Sequence, residues 1–96
     1  MRDYEVTYIL DPALGDEAVS GLTEKYAQNV KGMGGEVVDV NTWGKRRLAY
    51  ELKGRQEGIY VTMRFHAGSD TAAELRRVMR LSDEVLRALF ILMKAN

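Results

Sequence analysis

Apolar residues in this chain recur at two different periods, and the order in which the periods change leaves few folds open. Tyr4, Val6, Tyr8 and Leu10 alternate with Asp3, Glu5, Thr7 and Ile9, the pattern of a strand with one buried face. Asp11-Pro12 and Gly15 interrupt it. Asp16 is suited to cap a helix. Beyond it Val19, Leu22, Tyr26, Val30 and Met33 fall three or four apart and share one helical face. Gly34-Gly35 ends that helix. A second strand led by Val37, Val38 and Val40 is expected to run to about Tyr50. Lys53 to Gly58 reads as a hairpin loop. Ile59, Val61, Met63 and Phe65 then alternate with Tyr60, Thr62, Arg64 and His66 as a third strand.

Gly68-Ser69-Asp70 opens a second helix, with Ala72, Leu75, Val78 and Met79 inward and Arg76, Arg77 and Arg80 largely outward. Ser82-Asp83-Glu84 breaks it, and Val85 to Met93 forms the last strand. The order is β-α-β-β-α-β, the split βαβ or ferredoxin-like α+β topology. A single domain over residues 1–96 is expected, with two helices on one face of a four-stranded antiparallel sheet and the other face open. The expected core is Val6, Tyr8, Leu22, Tyr26, Val30, Val40, Val61, Met63, Leu75, Met79, Ala88 and Phe90. The last strand is apolar on both alternations: Leu86, Ala88, Phe90 and Leu92 on one, Leu89, Ile91 and Met93 on the other. One set faces the helices; the other is a contiguous apolar row that a partner is expected to cover.

Composition excludes several chemistries. There is no cysteine, hence no disulfide, thiolate metal site or thiol nucleophile. The only histidine, His66, has no neighbouring ligand in sequence. Asp16-Glu17 and Asp83-Glu84 suit helix and strand starts better than acid–base work. Gly32, Gly34 and Gly35 follow a helix, whereas a phosphate loop precedes one. Neither an enzyme, a cofactor, a metal nor a small-molecule substrate is expected. The charged start Met1-Arg2-Asp3-Tyr4-Glu5 and the short apolar run Ala88–Met93 argue against a leader or a membrane span, so a soluble cytoplasmic protein is expected.

Fourteen Lys and Arg balance fourteen Asp and Glu. Bulk charge therefore does not draw the chain to a polyanion, and only local clusters matter. Lys45-Arg46-Arg47 lies between Trp43 and Tyr50, a combination of guanidinium and aromatic groups that suits RNA. It equally suits a solvated edge strand guarded by charge. Arg76, Arg77 and Arg80 form either a basic face or a solvated face paired with Glu74 or Glu84. Arg2, Arg87 and Lys94 flank the first and last strands, which neighbour each other in this topology, and are expected to form one patch. The paired aromatic motifs of RNA-recognition domains are absent, so base stacking on the sheet is not the expected mode.

Trp43-Gly44-Lys45-Arg46-Arg47-Leu48-Ala49-Tyr50, with Gly58-Ile59-Tyr60, Asp83-Glu84-Val85-Leu86-Arg87 and the opening residues, resembles the S-six family of bacterial small-subunit ribosomal proteins over essentially the whole chain. The resemblance implies a ferredoxin-like fold. It also implies binding to small-subunit ribosomal RNA of the central domain, or platform, as a heterodimer with the small basic protein S-eighteen. On this reading Arg2, Arg46, Arg47 and Arg87, then Lys94 and Arg80, are expected at RNA. Trp43, Tyr60, Leu89, Ile91 and Met93 are expected at the protein partner. The competing expectation is a ferredoxin-like regulatory or ligand-binding domain that dimerises through its open sheet.

Overall fold

The computed structural model describes residues 1–93. Its elements are β1 (Arg2–Leu10), α1 (Asp16–Gly32), β2 (Glu36–Leu52), β3 (Arg55–Ala67), α2 (Ser69–Leu81) and β4 (Val85–Met93). The strands form one antiparallel sheet in the order β2-β3-β1-β4. The first strand is therefore central, and the last one forms an edge.

Register decides which residues are buried. Val6 opposes Met63 on β3 and Phe90 on β4, and Tyr8 opposes Val61 and Ala88. This row faces the helices, where Val19, Leu22, Tyr26 and Val30 of α1 and Ala72, Leu75 and Met79 of α2 close the core. Two aromatic pairs knit it together. Tyr4 stacks on Phe65, and Tyr8 meets Tyr26 edge to face, both at 5.4 Å; such geometries add about 0.5–1.5 kcal/mol beyond buried area. Of the expected core, Val40, Ala88 and Phe90 are only partly buried. They lie on the two edge strands.

The end of α1 is built by glycine. Gly34 takes φ +85°, and its N–H donates to the Lys31 carbonyl while that of Gly35 donates to the Val30 carbonyl. This pair of bonds is the Schellman arrangement, which needs a left-handed residue. At Gly35 a Cβ would stand 2.7 Å from Val30 Cγ1, so the chain turns tightly against the core. Met33, expected on the buried face, is the exposed C-cap instead. At the other end Gly15, not Asp16, is the N-cap, and Asp16 and Glu17 sit in the first turn, where their charge complements the helix dipole.

The β2–β3 connection differs from the expected loop over Lys53 to Gly58. Lys53 and Gly54, at φ +49° and +80°, make a two-residue turn with both dihedrals positive, the type that matches strand twist. β3 thus begins at Arg55. Gly58 serves clearance: a Cβ there would lie 2.2 Å from Ile9 Cγ2.

This long hairpin overruns the end of β1 and leans back across it. Arg55 pairs with Asp11 at 3.0 Å, Lys53 Nζ donates to the Val85 carbonyl at 2.9 Å, and the Arg87 guanidinium donates to the Tyr50 hydroxyl. The open face is therefore not open throughout. Ile9, on the solvent alternation of β1, is buried at the spot where Leu48 also approaches Gly58. A register shift on β1 between Ile9 and Leu10 places Val85 opposite Leu10, so Leu86 falls out of the simple alternation with Ala88 and Phe90.

Leu75 is 1% exposed at the centre of α2. Leu75→Ala is expected to cost about 2–5 kcal/mol, read as a lowered urea midpoint. An unchanged midpoint would contradict the packing. Burial pushes the Tyr8 phenol up to about 12, with the Thr23 hydroxyl as its hydrogen-bond acceptor at 3.4 Å. A raised folded pKa means that this stabilisation is intact below the unfolded value near 10 and is lost as pH climbs towards 12. Burial raises the Tyr26 phenol as well, so an alkaline absorbance titration should show two phenols ionising late, together with unfolding, of which Tyr8→Phe removes one.

Candidate nucleic-acid and partner interface

The exposed sheet face is built in cross-strand rows. Reading from β3 to β1, His66 opposes Asp3, Arg64 opposes Glu5, Thr62 opposes Thr7 and Tyr60 opposes Ile9. The first row holds a 2.8 Å contact between His66 Nδ1 and Asp3, and the second a 4.0 Å ion pair. Two carboxylates of the face, Asp3 and Glu5, are thus engaged by β3 side chains within the chain. Exposed pairs of this kind stabilise by about 0–1 kcal/mol; their larger effect is to leave few unpartnered polar groups on this part of the sheet.

Apolar groups flank that seam. Leu89, Ile91 and Met93 of β4 oppose Thr7, Glu5 and Asp3, so all three lie on the open face. Leu89 is 48% and Ile91 52% exposed, and Met93 is half-buried. At the other edge Trp43, 56% exposed, donates its indole N–H to Thr62 Oγ1 at 2.8 Å. That bond fixes the ring on the same face. Tyr60 lies beside it, half-buried, on the same side of β3. The residues expected at a protein partner therefore share one face, spread over three strand spacings, or roughly 14 Å.

The basic residues expected at RNA do not form one patch. Arg46 opposes Gly58, which lies on the same side of β3 as Tyr60 and Thr62, so Arg46 shares the Trp43 face and Arg47 takes the opposite one. The irregularity between Thr42 and Gly44 makes this odd spacing work. The expected patch of Arg2 with Arg87 is overturned by the antiparallel register. Arg87 opposes Ile9, seven residues along β1 from Arg2, which separates the two by roughly 23 Å. They cannot meet the same phosphate. Lys94 lies outside the described residues.

On α2 the three arginines part company. Arg77 forms a two-pronged contact with Glu74 one turn earlier, and the Arg77 guanidinium holds the Glu74 carboxyl below its ordinary range. Arg76 and Arg80 instead line a groove of about 520 Å³ between α2 and β4, together with Lys53 and Arg87. Sequence reasoning offered Arg80 and Arg87 separately and missed Lys53, whose role depends on the hairpin leaning over β1.

Among the described residues no group of carboxylates or histidine is arranged to hold a metal ion, and no helix is long and apolar enough to cross a membrane. The class these features define is a small α+β domain with an exposed sheet face, apolar on both flanks, beside a cation-lined rim.

Comparison with known proteins narrows the class. The profile of the family described as "Ribosomal protein S6" matches residues 3–92. The "Small ribosomal subunit protein bS6" of Desulforamulus reducens is 47% identical over 91 residues, covering 95% of this chain and 96% of the relative. That of Desulforudis audaxviator is 48% identical over 91 residues, covering 95% and 97%. The crystal structure of 30S ribosomal protein S6 from Thermotoga maritima superposes with a TM-score of 0.90 at 27% identity, over 96% of this chain and 87% of that one. The chain belongs to the ribosomal protein S6 family, a family of small-ribosomal-subunit components and not a class of enzymes. Its setting is therefore the ribosome of the bacterial cytoplasm.

The indole–hydroxyl bond gives a local test. Thr62→Val should lower stability by about 0.5–1.5 kcal/mol and loosen the only tryptophan of the chain, read as reduced fluorescence anisotropy. Unchanged anisotropy would mean that Trp43 is held by other contacts.

Proposed function

We propose that this chain assembles into the platform of the small subunit by binding central-domain ribosomal RNA together with protein S-eighteen. The sheet face takes the protein partner through Trp43, Tyr60, Leu89, Ile91 and Met93. Arg2, Arg46, Arg47, Arg80 and Arg87, together with Lys94, take RNA phosphates. The observation that carries this reading is the flanked sheet face: its carboxylates Asp3 and Glu5 are engaged by His66 and Arg64 within the chain, while Trp43, Leu89 and Ile91 stay about half exposed. Exposed apolar groups arranged around a seam whose polar groups are already partnered suit a protein surface better than a phosphate backbone.

Net neutrality supports the division of labour. Phosphate contacts supply most of the affinity of protein for nucleic acid, and their number sets its salt dependence. A chain of zero formal charge has few to spare, and a basic partner makes up the difference. Filter binding to platform RNA should accordingly be weak and salt-sensitive for this chain alone, and tight once S-eighteen is added. Equal affinity in both conditions would defeat the proposal; a self-dimer that ignores S-eighteen on size exclusion would favour a regulatory domain that pairs its own sheets.

A further inference from the structure

Four cations converge on the groove between α2 and β4: Lys53, Arg76, Arg80 and Arg87. None of the described residues that line it is acidic, and none of the four joins an ion pair with a described residue. Three other cations, Arg55, Arg64 and Arg77, each face a carboxylate. The groove is where this formally neutral protein gathers four cations in one place.

Three of the four are positioned by uncharged groups. Lys53 Nζ bonds the Val85 carbonyl, and Arg87 bonds the Tyr50 hydroxyl. The Arg76 guanidinium lies over the Phe90 ring, 4.9 Å from its centre. Such contacts fix a cation without cancelling its charge. A guanidinium laid on an aromatic ring also keeps its outer face free, either for a second π-system or for a two-pronged phosphate contact. Met79, Ala88 and Phe90 give the groove an apolar floor. β4 is an edge strand, so alternate backbone N–H and C=O groups along it are available to a ligand.

We infer that this groove takes one unstacked nucleotide of an RNA, with its base on the Phe90–Arg76 floor and the flanking phosphates on Lys53, Arg80 and Arg87. The inference rests on the RNA-binding reading above and adds the conformation recognised and two residues, Lys53 and Arg76, outside that reading. The volume, about 520 Å³, falls among small-ligand sites of roughly 300–1,000 Å³. A duplex presents phosphates but keeps its bases stacked, so only an unpaired nucleotide uses both cations and floor. An acidic peptide matches the charge but has no flat group for the free face of Arg76.

The test uses the full chain and a single-stranded oligoadenylate, a duplex of equal length and polyglutamate, each titrated at several salt concentrations while NMR follows the Met79 methyl and the Phe90 ring. The single strand should shift both signals and bind best. Arg80→Gln and Lys53→Gln should each lower the salt slope by about 0.7 per lost phosphate contact. Arg76→Lys, which keeps the charge and loses the plane, should weaken binding roughly tenfold with the slope unchanged. Equal binding of duplex and single strand, or tighter binding of polyglutamate, would overturn the inference. So would parental oligonucleotide binding by Arg76→Lys and Lys53→Gln, even if the complex with S-eighteen and platform RNA still forms. Loss of that larger complex with oligonucleotide binding intact would instead remove the partner reading and leave the groove standing.

Discussion

The pairing of β1 on both sides is the constraint from which the rest of this structure follows. Its nine residues carry Val6, Tyr8 and Leu10 into the core, and its two edges are taken by β3 and β4. Because both partners run antiparallel, one register sets which residues oppose which across three strands. A slip by one residue would move Val6 and Tyr8 to solvent and carry Glu5 and Thr7 under the helices. The aromatic pairs Tyr4–Phe65 and Tyr8–Tyr26 hold that register from the buried side, and Glu5–Arg64 and Asp3–His66 agree with it from the exposed side.

Charge in this protein is placed rather than accumulated. Formal neutrality hides two different surfaces. On the sheet, Glu5 opposes Arg64 and Asp3 opposes His66 across β1 and β3. At the rim between α2 and β4, cations lean on a carbonyl, a phenol and an aromatic ring. The first arrangement suits a surface that another protein covers without burying an unpaired charge; the second suits an anion.

The element order was legible in the sequence because each element is amphipathic at its own period, and β4 was found over Val85–Met93 from a stretch apolar at every position but Arg87. The pattern said less where glycine plays different parts. Gly54 and Gly58 lie four residues apart in one segment, yet one shapes a turn and the other clears space for Ile9; only the neighbour across the sheet distinguishes them. The family stretch around Trp43 was legible, whereas the face that Trp43 shares with Leu89 and Ile91 follows only from the strand register and the Trp43–Thr62 bond. The supposed meeting of Arg2 and Arg87 failed because neighbouring strands bring together opposite ends of their sequences when antiparallel. Lys53 was invisible as a site residue, since it reaches β4 only through a hairpin that folds over the end of β1.

Placing the last strand beside the first also sets a timetable for synthesis. Leu10 must wait for Val85, 75 residues later, and Asp3 for Met93. At bacterial elongation speeds of about 5–20 residues per second this interval is on the order of 4–15 s. Throughout it one edge of β1 has no native partner, and the row of Val6, Tyr8 and Leu10 lacks Ala88 and Phe90. A nascent chain that pauses between α2 and β4 would carry an unpaired, apolar strand edge, the kind of template to which holdase chaperones and neighbouring chains both bind.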